Sequence, residues 1–165
     1  MLGRMGSAEQ RTVRLSNGQI VPYPVPTSPA ATAKARANHP AMTKPEARLR
    51  SALHRRGLRF RKDLLIRCGT VRTRPDVVFT RARVAVYVDG CFWHGCPEHQ
   101  KLPKSNADYW VPKLASNVDR DRRIDSALYE AGWQVVRIWE HEALEASVAS
   151  VLEHLDHADP PGRPD

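Results

Sequence analysis

The spacing of apolar residues along the chain predicts three helices. The first begins with a capping box formed by Thr43 and Glu46 and ends at Gly57. The second can be capped by Asn106 and ends at Gly132. It contains Pro112, so its first turn must start late or the helix must kink. The three apolar stripes are Leu49, Ala52 and Leu53; Tyr109, Trp110, Leu114, Val118, Ile124 and Leu128; and Leu144, Val148, Val151, Leu152 and Leu155.

β-branched and aromatic residues predict strands between these helices. Asp76–Phe79 and Val84–Asp89 are the clearest, and Trp133–Trp139 follows the second helix. Short strand-like pieces with turns fill residues 58–75. Strands interleaved with helices predict an α/β domain with a mixed central sheet flanked by helices.

The first two long strands are close enough in sequence to form a hairpin. If Arg81 pairs with Val84 across a two-residue turn, Asp76 falls directly opposite Asp89. Directly opposed residues lie on one face of a sheet, with Cβ atoms roughly 4.5–5.5 Å apart. The sequence therefore predicts a pair of carboxylates at the end of the hairpin.

Composition divides the chain into one domain and two tails. Residues 41–156 carry the periodic pattern, and a length of 165 residues suits a single core. Residues 1–40 are basic and rich in proline, which predicts a disordered tail. Residues 157–165 are expected to form a second disordered tail.

Charge and hydropathy narrow the class of partner and compartment. The net charge is +8, which favours a polyanion such as nucleic acid, although an arginine-rich composition alone would give the same sum. No apolar run approaches the roughly 18 residues of a membrane span. The N-terminus lacks an apolar secretory segment, so the chain is expected to be cytosolic.

Two carboxylates on one face repel each other unless a proton or a cation lies between them. Mg²⁺ binds one or two protein carboxylates and keeps positions for water and substrate phosphate. Such an ion polarises a phosphodiester and helps to generate the nucleophile. Asp76 and Asp89 are therefore candidate Mg²⁺ ligands; the alternative is that they cap a strand and form a turn before Gly90.

A second set of residues suits a softer metal. Cys91, Cys96, His99 and His141 form a Cys₂His₂ set that fits structural Zn²⁺, provided that the fold brings His141 to the other three. The alternative is two buried thiols and two surface histidines. His94 is either a competing ligand or a general acid or base.

Large aromatic residues flank these candidates. Phe92 and Trp93 are adjacent, and Trp110 begins the second helix. Exposed aromatic side chains beside a basic surface can wedge between base pairs, whereas packing in the core is the alternative for each of them.

These features coincide in the very short patch repair (Vsr) endonuclease family, which the chain resembles from Thr43 to Glu142. The matching stretches are Thr43-Lys44-Pro45-Glu46, Arg74-Pro75-Asp76, Val88-Asp89-Gly90-Cys91-Phe92-Trp93-His94, Asn106-Ala107-Asp108-Tyr109-Trp110, Asn117-Val118-Asp119-Arg120-Asp121-Arg122-Arg123 and Val136-Arg137-Ile138-Trp139-Glu140-His141. The resemblance implies a restriction-endonuclease-like core of the PD-(D/E)xK type, although the usual lysine of that motif is absent here, as it is in the Vsr family.

The resemblance also implies a role for each matching catalytic position. Asp76 would bind the catalytic metal, with a backbone carbonyl from Val88. Asp89 stands where a well-known family member has a histidine, and would bind Mg²⁺ directly or through water. His94 would handle the proton, and Glu46 would lie near the water at the metal.

The remaining matches concern zinc and DNA. Phe92, Trp93 and Trp110 would intercalate beside a mismatch. Cys91, Cys96 and His141 fall on zinc-ligand positions. The fourth ligand is either Glu98, by strict counting, or His99 after one inserted residue, and His99 is preferred because nitrogen completes a conventional set.

The function implied is Mg²⁺-dependent, zinc-stabilised nicking of one strand of duplex DNA at a T:G mismatch that arises from deamination of 5-methylcytosine. The product would carry a 5′-phosphate and a 3′-hydroxyl. The enzyme would be a bacterial, nucleoid-associated monomer with mismatch-repair proteins as candidate partners. The alternatives are a related nuclease triggered by another mismatch or by modified or foreign DNA, and a non-catalytic zinc-containing DNA-binding module.

Overall fold

The computed structural model describes residues 12–14, 20–22, 43–99 and 107–158. Seven strands and three helices lie within these residues. The strands are β1 Thr12–Arg14, β2 Ile20–Pro22, β3 Ile66–Cys68, β4 Val71–Thr73, β5 Val77–Phe79, β6 Val84–Asp89 and β7 Gln134–Trp139; the helices are α1 Lys44–Arg55, α2 Ala107–Glu130 and α3 Leu144–Asp156.

The central sheet is mixed, as predicted. Its strand order is β5-β6-β7, in which β5 is antiparallel and β7 is parallel to β6. The parallel pair requires a crossover, and α2 supplies it. Helices α1 and α3 pack on one face of the sheet and α2 on the other, so the expected α/β architecture is confirmed.

The predicted register of the β5–β6 hairpin is wrong by two residues. Val77 pairs with Val86 and Phe79 with Val84, so four residues connect the strands and Arg83 takes a positive φ of 53°. A shift of two residues keeps every side chain on its own face, and the apolar pattern therefore cannot distinguish the two registers. Asp76 is consequently not opposite Asp89.

The two faces of the sheet bury separate apolar clusters. On the α1 and α3 side, Leu53 and Val151 pack on Val84 and Val86 of β6. On the α2 side, Leu128 packs on Ala85 and Tyr87 of the same strand. Because β6 is buried on both faces, it is nearly continuous in apolar residues, which is typical of a central strand.

Helix α2 is one continuous helix of 24 residues with Pro112 inside it. It forms the crossover between the parallel strands β6 and β7. The polypeptide leaves it at Gly132, whose φ of 75° favours glycine. Asn106, the predicted cap of this helix, lies outside the described residues.

The region predicted as an N-terminal tail contains two strands that the sequence did not predict. β1 and β2 pair antiparallel, with Val13 across from Val21. The rest of residues 1–42 and residues 159–165 lie outside the described part of the chain. None of the helices in the described part is long and apolar enough to cross a membrane.

Candidate active site and metal centre

The candidate residues meet at one edge of the central sheet. β6 and β7 are parallel, so their carboxyl ends lie side by side, and β5 begins at the same edge because it runs the opposite way. The residues that enter or leave these three strands at that edge are therefore close in space, although they are far apart in sequence.

Asp76 occupies the start of β5 and is held by backbone from the neighbouring strand. Its Oδ2 accepts a hydrogen bond of 2.7 Å from the Val88 amide, and its own amide donates to the Val86 carbonyl at 3.0 Å. Burial raises the pKa of Asp76 to about 6, and the nearby carboxylate of Glu46 acts in the same direction. The site thus contains a buried carboxylate that lacks a full counter-charge.

Arg50 of α1 is the nearest cation to Asp76. Its Nε donates to the Asp76 carbonyl at 3.1 Å. Its Nη2 is buried without a hydrogen bond and lies 3.6–3.9 Å from Asp63, Glu46 and Asp76. Arg50 therefore balances three acids at once and neutralises none of them completely.

Glu46 combines its predicted structural role with a position near the site. The Thr43 hydroxyl caps α1 by accepting from the Glu46 amide at 3.4 Å and donates to Glu46 Oε1 at 2.9 Å. The cap is therefore confirmed, and it places this carboxylate at the end of α1 that faces Asp76.

The backbone amide and carbonyl of Val88 point to the side of β6 on which Asp76 lies. In an extended strand, the amide and carbonyl of one residue point to the same side, and those of the next residue point to the other side. The Val88 amide points at Asp76, whereas the Asp89 carbonyl accepts from Glu140 beside β7 at 3.0 Å. The Val88 carbonyl therefore points to the same side of β6 as the Val88 amide that binds the Asp76 carboxylate.

Asp89 has a different set of contacts from the one expected. It is only 3% exposed, and both of its oxygens accept from Arg137 Nη1, at 3.0 and 2.7 Å. It lies on the α2 side of the sheet, close to His94. A cation already neutralises this carboxylate, and that cation is a side chain of the same protein.

His94 forms a short hydrogen bond to α2. Its Nδ1 lies 2.7 Å from Asp121 Oδ2 and 3.5 Å from Asp89 Oδ1. Burial acts to raise the pKa of Asp121, but the contacts with His94 and Arg120 outweigh it and the pKa is lowered. An ionised carboxylate on Nδ1 leaves Nε2 of the ring as the nitrogen for a substrate proton.

The four predicted zinc ligands come together. Cys91, Cys96, His99 and His141 each offer one ligand atom, and all four atoms lie within 4.8 Å of one another. Cys91 Sγ is 3.0 Å from His141 Nδ1, and Cys96 Sγ is 3.8 Å from His99 Nδ1. Tetrahedral zinc with bonds of about 2.0–2.3 Å places its ligands roughly 3.3–3.8 Å apart, so this donor set fits the ion.

Among the candidates for the fourth ligand, His99 is the one that groups with Cys91, Cys96 and His141 in the structure. Glu98 points to the far nitrogen of His141, with Oε2 3.6 Å from Nε2, and its side chain is 69% exposed. His94 is turned away to Asp121. Glu98 therefore lies where carboxylates commonly orient a metal-bound histidine rather than where they bind the metal.

Burial raises the pKa of the Cys91 thiol to about 11, and the adjacent Cys96 contributes in the same direction. A bound metal would displace the thiol protons, because the thiolate and not the thiol is the metal ligand. The Glu140 carboxylate accepts from the Cys91 amide at 2.7 Å and ties the loop to the end of β7.

The three predicted intercalating aromatics form one surface cluster. The ring centroids of Phe92 and Trp110 are 5.4 Å apart, and those of Trp93 and Trp110 are 5.8 Å apart. Trp93 is 46% exposed. The Asn117 amide of α2 donates to the Trp93 carbonyl at 3.2 Å, which fixes the cluster beside His94.

Several functional contacts escaped the sequence analysis. Asp121 and Asp125 are four residues apart on the predicted helix, so their shared face was visible, but nothing in the sequence showed that it meets His94 and Arg137. Arg50 is one of several arginines on α1, and nothing in the sequence distinguishes it from the others. Each of these residues contacts a partner that is distant in sequence, and that contact gives it a place in the site.

Comparison with known proteins shows which family the chain belongs to. A family model described as DNA mismatch endonuclease Vsr matches residues 28–100. The type II nicking enzyme V.NaeI of Lentzea aerocolonigenes is 51% identical over 136 residues, which cover 82% of each chain. The chain belongs to the Vsr family.

Other Vsr-family relatives agree with this assignment. The type II nicking enzyme V.XorIIP of Xanthomonas oryzae pv. oryzae is 46% identical over 121 residues, 67% of this chain and 83% of that protein. The DNA mismatch endonuclease Vsr of Escherichia coli K12 is 38% identical over 99 residues, 58% of this chain and 59% of that protein. The family named from the sequence motifs is thereby confirmed.

Proposed function

We propose that this Vsr-family protein is a Mg²⁺-dependent endonuclease that nicks one strand of duplex DNA at a T:G mismatch produced by deamination of 5-methylcytosine. The observation that carries the proposal is the partly buried Asp76 carboxylate bound to the Val88 amide, at the same sheet edge as the His94–Asp121 pair. The printed names of the relatives, nicking enzymes and a mismatch endonuclease, support it.

The donors near Asp76 suit a hard cation. A carboxylate and a backbone carbonyl are oxygen ligands of the kind that Mg²⁺ prefers. The raised pKa of Asp76 indicates a carboxylate whose charge is incompletely balanced, and a cation would relieve that imbalance. Mg²⁺ bound here would supply Lewis-acid polarisation of the scissile phosphate and activation of the attacking water.

The protein's own side chains would handle the proton and orient the water. Asp121 holds His94 through Nδ1, so Nε2 can take or give the proton at the reacting oxygen. Glu46 orients water at the edge of the site from the N-terminus of α1. Asp89 is proposed not to bind the metal directly, because Arg137 donates to both of its oxygens and balances their charge.

The Cys91, Cys96, His99 and His141 set is proposed to hold structural Zn²⁺. All four positions would be filled by protein, which is typical of a closed structural site rather than a catalytic one. His94 lies on the loop between the first two ligands, so the zinc would fix the proton-handling side chain together with Phe92 and Trp93.

The aromatic cluster is proposed to recognise the mismatch by shape. Phe92, Trp93 and Trp110 form a partly exposed apolar surface that can insert between base pairs, and unstacking costs least where pairing is already weakened. The reaction belongs to the start of very short patch repair, with a 5′-phosphate and a 3′-hydroxyl as products, and the enzyme acts as a monomer.

A second candidate keeps the same chemistry and changes the trigger. Two of the most similar relatives carry the name type II nicking enzyme rather than mismatch endonuclease. The chain would then nick duplexes that contain another mismatch, or modified or foreign DNA.

Replacement of Asp76 by Ala tests the catalytic assignment. Loss of the metal-binding carboxylate removes several kcal/mol of charge stabilisation, so nicking should fall by about 10³-fold or more while the affinity for duplex DNA is retained. Single-turnover nicking and binding are measured on one labelled duplex. Asp156→Ala, an exposed acid at the far end of α3, is the matched control and should nick normally. Full activity of Asp76→Ala would refute the assignment.

A further inference from the structure

A partly buried ion cluster lies next to His94 on the face of the sheet that α2 covers. At its centre, Arg137 of β7 is inserted between carboxylates from two other elements. Nη1 donates to both oxygens of Asp89, and Nε and Nη2 donate to Asp125 of α2 at 2.8–3.2 Å. The proposed metal and proton chemistry does not by itself require any of these contacts.

Arg137 is held by further contacts on its remaining sides. Its Nη2 also lies 3.4 Å from the Asp121 carbonyl oxygen, and its guanidinium stacks 4.8 Å from the centroid of the Tyr87 ring. A planar guanidinium with five donors matches two carboxylates in fixed directions, which a lysine ammonium does not. Arg137 therefore fixes the orientation of Asp89 as well as its charge.

The orientation of Asp89 matters because His94 lies between two carboxylates. The Nδ1 atom of His94 is 2.7 Å from Asp121 and 3.5 Å from Asp89. This nitrogen carries one hydrogen and can make one short bond at a time. Arg137 donates to both oxygens of Asp89, whereas Arg120 binds only Oδ1 of Asp121 and leaves Oδ2 to His94, so His94 stays on α2.

We infer that Arg137 is a positioning residue for the nicking reaction. It keeps Asp89 away from the proton on Nδ1, so that His94 remains bound to Asp121 with Nε2 directed at the substrate. Asp125 serves as the second anchor that holds Arg137 in place. The inference rests on the proposed function in one respect, the role of His94 in proton transfer.

The test is a double-mutant cycle between Arg137 and Asp121, measured as single-turnover nicking at saturating Mg²⁺ with enzyme in excess over the duplex, across a range of enzyme concentrations. Arg137→Met frees Asp89 to capture His94, so the rate should fall by about 10²-fold, the lower range for a general acid–base contribution. KM for the duplex should stay within about threefold, because binding groups are untouched. Asp121→Asn should cost a similar factor of about 10².

The two losses should not multiply. If Arg137 acts by keeping His94 on Asp121, the double variant should be about 10²-fold slower than the wild type rather than about 10⁴-fold slower. Multiplicative losses would mean that Arg137 only stabilises the fold, and would overturn the inference. Arg137→Lys should be intermediate, because charge returns without the fork.

Adding Asp89→Asn to Arg137→Met should restore most of the rate, because the competing charge is then gone. Lack of rescue in this variant would also contradict the inference. Arg55→Met, which removes an exposed arginine whose guanidinium donates to the nearby Ser51 hydroxyl, is the matched control and should leave nicking unchanged. All variants are assayed well below their melting temperatures, so that unfolding does not enter the rates.

A crystal structure of Arg137→Met separates this inference from the proposed function. The expected change is that His94 Nδ1 moves into hydrogen-bond distance of Asp89 and away from Asp121. An unmoved His94 would refute the positioning role even if the wild type nicks mismatched DNA. Conversely, a wild type that nicks no duplex would refute the proposed function while leaving the movement of His94 to be judged by itself.

Discussion

At the scale of single residues, Asp76 is stabilised by one backbone amide and opposed by its own burial. Its folded-state pKa of about 6 lies above the ordinary value of 3.8 for a free carboxyl. Between these two pH values, the folded protein holds a proton that the unfolded chain has released. The free energy of unfolding therefore falls as the pH rises through this window, and the full cost persists above pH 6.

This cost predicts a stabilising substitution. Without Mg²⁺, Asp76→Asn should raise the melting temperature at pH 7.5 by several degrees, since the shift corresponds to at most about 3 kcal/mol. At pH 4.5 the gain should shrink to about a third of that value, because most of the penalty develops between pH 3.8 and 6. Thermal melts at the two pH values measure both quantities.

Mg²⁺ provides the control for this measurement. It should raise the melting temperature of the wild type and leave that of Asp76→Asn nearly unchanged, since a ligand stabilises only the state that binds it. Asp156→Asn should show no pH-dependent gain. An Asp76→Asn gain that is equal at both pH values would contradict the account of this carboxylate.

At this scale, the sequence predicted several residues of the site but not the charged residues that contact them. Asp76 and His94 could be singled out by residue type and spacing, and Glu46 by its cap. Their charged partners could not, since Arg50, Asp121 and Arg137 reach the site only through the packing of helices on the sheet.

At the scale of elements, the loop from Gly90 to His99 connects the metal centre, the aromatic cluster and His94. Cys91 and Cys96 anchor it from within, and His141 anchors it to the end of β7. The same loop has few backbone hydrogen bonds of its own. In two of them, the Trp93 and His94 amides donate to the Gly90 carbonyl. A metal at the cysteines would thus supply order that the backbone does not.

The zinc assignment predicts a coupled loss on substitution of Cys96 by Ser. Zinc content by elemental analysis should drop, and the melting temperature should fall by roughly 5–10 °C, because loss of a structural metal ranks among the large single-residue effects. Cys68→Ser is the matched control, since Cys68 lies outside the cluster, and should keep its zinc. Unchanged zinc content in Cys96→Ser would refute the proposed site.

The elements themselves were largely predictable. Helix α1 and strands β6 and β7 follow from capping, apolar spacing and β-branched residues within one or two residues of their bounds. The hairpin register was not predictable, because shifting β5 by two residues preserves which side chains face each core. That one ambiguity produced the expectation of opposed Asp76 and Asp89, and turn geometry around Arg83 removes it.

At the scale of the whole molecule, two candidate metal sites of different character share one edge of a small sheet. Oxygen donors at Asp76 and Val88 lie toward β5, and sulfur and nitrogen donors lie beyond the ends of β6 and β7. The topology explains this placement, because a parallel pair and an antiparallel neighbour bring three chain segments to the same edge. A net charge of +8 favours the approach of DNA to a site that is itself rich in carboxylates.

The central claim is tested most directly by nicking assays on a panel of duplexes. Each duplex carries one variable pair, T:G, another mismatch, a matched pair or a methylated matched pair, within randomised flanking sequence and with both strands labelled. The account predicts a single Mg²⁺-dependent nick in the thymine-bearing strand of T:G duplexes, with a 5′-phosphate, and none with Asp76→Ala. Equal cleavage of matched and T:G duplexes, or binding without cleavage of any duplex, would contradict it.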